Sequence, residues 1–83
     1  QQQEARGLKR LALMARGNYA ICAWRGGRAD DGLAELDRLL AQYAAAGMGP
    51  NVAITHNHRG HALRQLGRFA QAQAAYQAAL DEP

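Results

Sequence analysis

The sequence predicts an all-α fold in which four helices form two antiparallel hairpins that stack on each other. Alanine, leucine, glutamine and arginine dominate the chain, and these residues, which are not branched at Cβ, lose little on entering a helix. The β-branched residues that strands favour are few: Ile21, Val52, Ile54 and Thr55. Apolar residues recur at three- and four-residue steps in four segments that are separated by glycines. Because two of the connections are very short, the helices that they join must be antiparallel.

The first predicted helix covers residues 3–25. Its apolar residues form one stripe, which we expect to face the core: Leu8, Leu11, Ala15, Tyr19 and Cys22. Cys22 is then expected to be a small buried hydrophobe.

The second predicted helix covers residues 30–46. Asp30 and Asp31 fall in its first turn, where a negative charge meets the positive end of the helix dipole, and Gly47 suits its C-terminal cap. Its expected buried stripe consists of Leu33, Leu36, Leu39, Leu40 and Tyr43.

The third predicted helix begins just after Pro50, with Asn51 as its cap, and ends near Leu66. One side of it carries Ala53, His56, Gly60 and Leu63. The fourth covers residues 69–81 and is closed by Pro83. Its expected buried face consists of Phe69, Ala72, Tyr76, Ala79 and Leu80.

A unit of 40 residues occurs twice in the chain. Gly27-Arg28 recurs as Gly67-Arg68, and at the same offset Ala34 matches Ala74 and Leu40 matches Leu80. We therefore predict a single domain over residues 1–83. Residues 1–46 form a degenerate first hairpin with an N-terminal extension, and residues 51–83 form the second hairpin.

The second hairpin resembles a tetratricopeptide repeat. The family pattern places a small residue, a larger one three later, a glycine, an aromatic, an alanine, a second aromatic and a closing proline. Here these places are taken by Gly60, Leu63, Gly67, Phe69, Ala72, Tyr76 and Pro83. The first hairpin departs from the pattern, with Gly32 in place of alanine and Leu36 in place of an aromatic.

The resemblance implies a short right-handed α-solenoid. In its packing, Gly60 and Ala72 would let paired helices approach closely, while Phe69 and Tyr76 would fill the gap between hairpins. The 40-residue spacing exceeds the usual length of about 34 and resembles the longer variant of kinesin light chains and many bacterial proteins. The extra length is expected in residues 44–51.

The resemblance also implies a binding groove along the first helix of each hairpin. Met14, Gly17 and Ile54 would contribute to its lining, and its candidate contact residues are Asn18, Ile21, Trp24, Arg25, Asn57, His58, His61, Arg64 and Gln65. Arginine offers a planar fork of donors that fits a carboxylate, and a tryptophan is a frequent binding anchor. The expected function is a protein-interaction scaffold that binds a peptide, a helix or its own copy. The alternative is that these residues are ordinary solvated side chains on a scaffold whose partner binds elsewhere.

Catalytic and metal-binding motifs are not evident. His58 and His61 share a helix face that His56 does not, and two histidines are too few for a zinc site. The sequence has no serine and no phosphate-binding loop, so we expect neither an enzyme nor a cofactor.

The formal charge of +3 suggests a second function, namely the regulatory arm of a bacterial transcription or signalling protein with weak nucleic-acid contact through its arginines. No predicted helix has a distinct basic face, which argues against nucleic acid as the partner.

The cysteine content, the hydropathy and the number of repeats predict the cellular location of the protein and its oligomeric state. A single cysteine and the lack of a long apolar run predict a cytoplasmic protein without a membrane span. Two repeats leave apolar flanks, which predicts either a homodimer or a fragment of a longer array.

Overall fold

Four helices account for most of the part of the chain that the structure describes. The computed structural model describes residues 2–83, with side chains from Glu4 onward, so Gln1 of the predicted domain lies outside the described residues. The helices are α1 (Gln2–Arg25), α2 (Ala29–Ala45), α3 (Gly49–Gln65) and α4 (Phe69–Asp81). No strand occurs in residues 2–83, and the all-α prediction is confirmed.

The same three-residue connection joins every helix to the next. Its middle residue is a glycine with positive φ, at Gly27 (86°), Gly47 (69°) and Gly67 (76°). The N–H group after each glycine donates to the carbonyl five residues earlier: Arg28 to Ala23 at 2.8 Å, Met48 to Tyr43 at 2.9 Å and Arg68 to Leu63 at 2.9 Å. This Schellman-type ending satisfies free helix carbonyls and needs a residue that tolerates the left-handed region. Each helix is therefore antiparallel to its neighbour.

The connection between the two hairpins is no longer than the connections within them. The extra length predicted in residues 44–51 is therefore not a longer loop. Most of that segment is helical, since residues 44–45 end α2 and residues 49–51 begin α3, and each of these helices has 17 residues.

The start of α3 also differs from the prediction. The helix begins at Gly49, and Met48 precedes it as the N-cap without a side-chain hydrogen bond. Pro50 lies in the first turn, where its missing N–H is not needed. Asn51 is already helical and donates its N–H to the Met48 carbonyl at 3.0 Å, so it is not the cap.

Helix α2 holds the two hairpins together. It packs against both α1 and α3, α4 packs against α3, and α1 and α3 touch only slightly. The stack is thin, with extents of 45 × 27 × 13 Å. As predicted, Leu33, Leu36, Leu39 and Tyr43 of α2 are buried, whereas Leu40 of the predicted stripe is only half-buried.

The core consists of two clusters, and α2 contributes to both. One lies where α1, α2 and the start of α3 meet, and contains Leu13, Leu39, Tyr43, Met48 and Val52. The other joins α2, α3 and α4, and contains Ala29, Leu33, Ala62, Leu63, Ala72 and Ala75. The small residues of the second cluster let α3 and α4 approach closely.

The predicted buried stripe of α1 is wrong. Leu8, Leu11 and Tyr19 are 67%, 63% and 55% exposed, and Ala15 and Cys22 are also exposed. Helix α1 has two apolar faces, and it packs on α2 through the face with smaller residues, where Ala20 and Ala23 are buried beside Leu13. The face with the larger side chains lies at the end of the stack.

The predicted buried face of α4 is only partly correct. Ala72 is buried and Ala79 and Tyr76 are half-buried, but Phe69 and Leu80 are exposed because none of the described helices covers that end of the stack. Phe69 therefore does not fill the gap between the hairpins, and the Tyr76 ring packs over Gly60 of its own hairpin.

The predicted side of α3 is correct in part as well. Gly60 and Leu63 are buried, while Ala53 and His56 are half-buried. The remaining buried positions of this helix are Val52, Thr55 and Ala62.

Candidate functional site: a groove across α1 and α3

A small cavity opens between α1 and α3, on the side where these two helices lie next to each other in the stack. It has a volume of about 180 Å³. Its outer wall consists of Met14, Gly17, Asn18 and Ile21 from α1 and of Ile54 and His58 from α3. Leu36 and Tyr43 of α2 form its base. The cavity is therefore mainly apolar, and the polar residues in its lining are Asn18, Asn51, Thr55 and His58, with Tyr43.

The polar groups at the base of this cavity are already hydrogen-bonded within the protein. The Tyr43 hydroxyl donates to the Leu13 carbonyl at 2.9 Å, and the Thr55 hydroxyl donates to the Asn51 carbonyl at 2.6 Å. Burial raises the pKa of Tyr43, so this phenol stays protonated. These two hydroxyl groups are thus already paired, and the base offers its apolar surface to a ligand.

Four rings form a continuous cluster beside the cavity: Trp24, His58, His61 and Tyr76. The Trp24 indole N–H donates to Nδ1 of His58 at 3.1 Å, and the Trp24 ring stacks on His61 with centroids 5.1 Å apart. The Tyr76 hydroxyl lies 2.8 Å from Nδ1 of His61. Because an indole can only donate, Nδ1 of His58 must be unprotonated. This arrangement, which we call the aromatic cluster, therefore holds His58 as a neutral ring with its proton on Nε2.

The surroundings of the cluster favour neutral histidines. The pKa of His58 is lowered first by desolvation and then by the charges of His61 and Arg25. Desolvation also lowers the pKa of His61, followed by the charges of Arg64 and Arg25. The guanidinium carbon of Arg25 lies 5.6 Å from the centre of the Trp24 ring, in a cation–π arrangement. The fixed positive charge in this region therefore comes from the two arginines.

Most of the predicted groove residues lie together in the structure. Asn18, Ile21 and His58 line the cavity, Trp24 and His61 belong to the aromatic cluster, and Arg25 and Arg64 lie close enough to influence its charge. Two predicted residues lie apart. Asn57 lines a separate cavity between α3 and α4, and Gln65 lies near the turn between α1 and α2.

Among the contributors to this region that were not predicted as part of the site, three come from the second helices of the hairpins. Leu36 and Tyr43 reach the cavity from α2, and Tyr76 reaches the aromatic cluster from α4. The sequence pattern marks all three only as apolar positions of second helices. Their roles depend on how far each side chain reaches between the first helices of the two hairpins. Residue spacing does not reveal this distance.

The described residues contain no group that could hold a metal ion. Within them, no three His, Cys, Asp or Glu side chains come together. The rings of His58 and His61 lie 5.9 Å apart, whereas His56 is not part of the cluster, as predicted from the helical turn. No helix in the described part of the chain is long and apolar enough to cross a membrane.

Comparison with known families gives a match to the tetratricopeptide repeat over residues 10–81. The chain belongs to the tetratricopeptide repeat family. Domains of this family generally mediate protein–protein interactions and are not catalytic. No curated protein and no solved structure matches the chain significantly.

Proposed function

We propose that this tetratricopeptide repeat chain is an interaction scaffold whose groove across α1 and α3 binds an extended peptide. The peptide would carry one aliphatic side chain and, a few residues away, a carboxylate. The observation that carries this proposal is the position of an aliphatic cavity beside an arginine-flanked aromatic cluster.

The cavity supports the aliphatic part of the ligand. Pockets for drug-sized molecules measure about 300–1,000 Å³, so a cavity of about 180 Å³ suits a single side chain. Met14, Ile21 and Ile54 would surround that side chain. The Asn18 amide at the edge can pair with a peptide backbone group.

The charges support the acidic part of the ligand. Arg25 and Arg64 lie around the aromatic cluster, and because the pKa values of His58 and His61 are lowered, the positive charge offered to an anion comes from these two arginines. A guanidinium binds a carboxylate through two parallel hydrogen bonds. Trp24 would contribute the face of its ring, since its N–H is already bonded to His58.

We also propose which variant of the family this chain represents and where the protein is found. We infer the long-spacing variant of the family, supported by helices of 17 residues and by the 40-residue offset. Its occurrence in bacterial proteins and a cytoplasmic setting are inferences of the same kind, and the single free cysteine, Cys22, supports a reducing compartment.

Selection from a random peptide library tests the proposal. Peptides enriched on the immobilised chain should contain an acidic and an aliphatic residue. Calorimetry of one such peptide should show at least a tenfold weaker Kd for Arg64→Glu, because the charge that meets the carboxylate is reversed. The same should hold for Ile21→Glu, which places a charge in the cavity.

Arg38→Glu is the matched control. Arg38 lies on the exposed outer side of α2 and pairs only with Glu35 among the described residues, so reversing its charge should leave the Kd within about twofold. Equal weakening by Arg38→Glu and Arg64→Glu would show general charge attraction and contradict a groove-specific site.

A further inference from the structure

Both ends of the helix stack carry apolar surfaces that no part of the described chain covers. At one end is the α1 face, which consists of Leu8, Ala12, Ala15, Tyr19 and Cys22, all exposed. At the other end is the α4 groove, a cleft of about 400 Å³ lined by Ala53, Ile54, Asn57, Tyr76, Ala79 and Leu80. Leu80 is 80% exposed and Ile54 is 53% exposed.

The 40-residue offset shows what kind of surface the α4 groove is. Ala53, Ala79 and Leu80 stand 40 residues after Leu13, Leu39 and Leu40. In the first hairpin those three leucines form the surface on which α3 docks, and Leu13 and Leu39 are only 4% and 0% exposed in a cluster with Val52 of α3. The α4 groove is therefore the second occurrence of a helix-docking surface, without its helix.

The same offset identifies the face of α1. Leu8, Ala12 and Ala15 stand 40 residues before Met48, Val52 and Thr55. These residues of the α2–α3 connection and α3 are 8%, 7% and 3% exposed, because they are the ones that dock on the first hairpin. The α1 face thus corresponds, position by position, to a face that already docks on this kind of surface within the chain.

We propose that the α1 face of one copy docks in the α4 groove of a second copy and repeats the α2–α3 contact between molecules. The occupant is a second copy because the chain itself carries the matching face in the matching register. Leu8 keeps a large apolar side chain where Met48 stands in the internal contact, and Leu80 keeps the leucine of position 40.

The contact between copies has two further properties. Within the chain, Arg59 of α3 pairs with Asp37 of α2, and the corresponding residues between copies are Tyr19 and Gln77. This contact therefore lacks the ion pair that the internal contact has at that position. Because the two surfaces lie at opposite ends of the stack, the association is head-to-tail and can continue beyond a dimer.

Two variants, each with one end blocked, test the proposal. Leu80→Glu places a charge in the α4 groove, and Ala15→Glu places one at the centre of the α1 face. Both positions are exposed, so the helices should form normally, which circular dichroism checks. In sedimentation, the unmodified chain should increase from its monomer mass of 9.0 kDa towards dimers and larger species as concentration rises. Each variant alone should stay monomeric.

The mixture of the two variants is decisive. Leu80→Glu keeps a working α1 face and Ala15→Glu keeps a working α4 groove, so an equimolar mixture should form a one-to-one dimer that grows no further. Ala34→Glu, on the exposed outer side of α2, is the control and should associate like the unmodified chain. Leu8→Glu and Phe69→Glu provide a second pair if either variant folds poorly, because exposed Phe69 stands 40 residues after Ala29, which is buried in the cluster that joins α2 and α3.

Three results would overturn the proposal: an unmodified chain that stays monomeric at about millimolar concentration, a variant that still dimerises alone, or a mixture that stays monomeric. These results are separable from peptide binding because, although Ile54 lines both surfaces, none of the substituted residues lines the cavity between α1 and α3.

Discussion

Gly60 and Tyr76 show how individual residues determine the spacing inside a hairpin. A methyl group built on Gly60 would lie 2.5 Å from Cε1 and 2.7 Å from Cδ1 of the Tyr76 ring. The corresponding residues of the first hairpin are Ala20 and Leu36, both buried. One hairpin therefore combines a glycine with a ring, and the other combines a methyl group with a smaller aliphatic side chain.

The first prediction concerns the pairing of residues 60 and 76. Gly60→Ala should lower the free energy of unfolding by about 2 kcal/mol, since the added methyl overlaps a ring that His61 also holds. Adding Tyr76→Leu should recover much of that loss by reproducing the Ala20 and Leu36 pair. Urea denaturation of both single variants and the double variant measures the coupling. Purely additive effects would contradict the account.

The second prediction concerns pH. The folded chain lowers the pKa of His58 below its ordinary value of 6.5, mainly by desolvation. As pH falls through 6.5, the unfolded chain takes up this proton first, so the stability contributed by neutral His58 is present above pH 6.5 and is lost below it. Protonation of Nδ1 also removes the acceptor for the Trp24 N–H.

Trp24 is the only tryptophan, so its indole N–H resonance reports this change directly. The resonance should shift as the sample is acidified below pH 6.5. In His58→Gln, which can accept the bond but does not titrate, most of the shift should disappear. An unchanged titration in that variant would assign the effect to His61, which stacks on the same indole.

At the scale of the elements, the connections were the most predictable part. Gly27, Gly47 and Gly67 interrupt the apolar pattern in the sequence, and all three have the positive φ that ends a helix. The stripe of α2 was predictable because neighbours cover it on both sides. The stripes of α1 and α4 were predicted wrongly or only in part, because periodicity shows that a face is apolar and not that anything covers it.

The candidate groove was predictable to a similar degree. Asn18, Ile21 and His58 were predicted because they lie on the first helix of a hairpin, and the structure brings them to one cavity. The bond from Trp24 to His58 spans 34 positions of the sequence and depends on how the hairpins stack, so spacing could not reveal it. Asn57 faces the α4 groove because it lies on the other side of α3 from Thr55 and His58.

The third prediction compares two glycines in different elements. Gly67→Ala should destabilise the chain by about 1–2 kcal/mol, because its φ of 76° is strained for any residue with a side chain. Gly7→Ala should stabilise α1 by up to about 1 kcal/mol, since a methyl there meets no other atom and alanine favours helix. Thermal unfolding of the two variants should therefore move in opposite directions. A shift of the same sign for both would contradict the proposed turn geometry.

At the scale of the whole molecule, one repeated stacking of helix on helix explains the groove and both apolar ends of the stack. Identical three-residue turns make successive helices antiparallel, and the 40-residue offset places α3 beside α1. The cavity and the aromatic cluster form where the first helices of the two hairpins lie side by side. The outer surfaces of α1 and α4 are not covered by the described residues, and they correspond to the two halves of the contact between α2 and α3.

The measurement that tests the central claim most directly is a nuclear magnetic resonance titration of the isotopically labelled chain with a selected acidic, aliphatic peptide. The account predicts that shifts concentrate on Asn18, Ile21 and His58, with the Trp24 indole N–H responding at the same peptide concentration. Shifts confined to the outer side of α2, around Ala34 and Arg38, would contradict it.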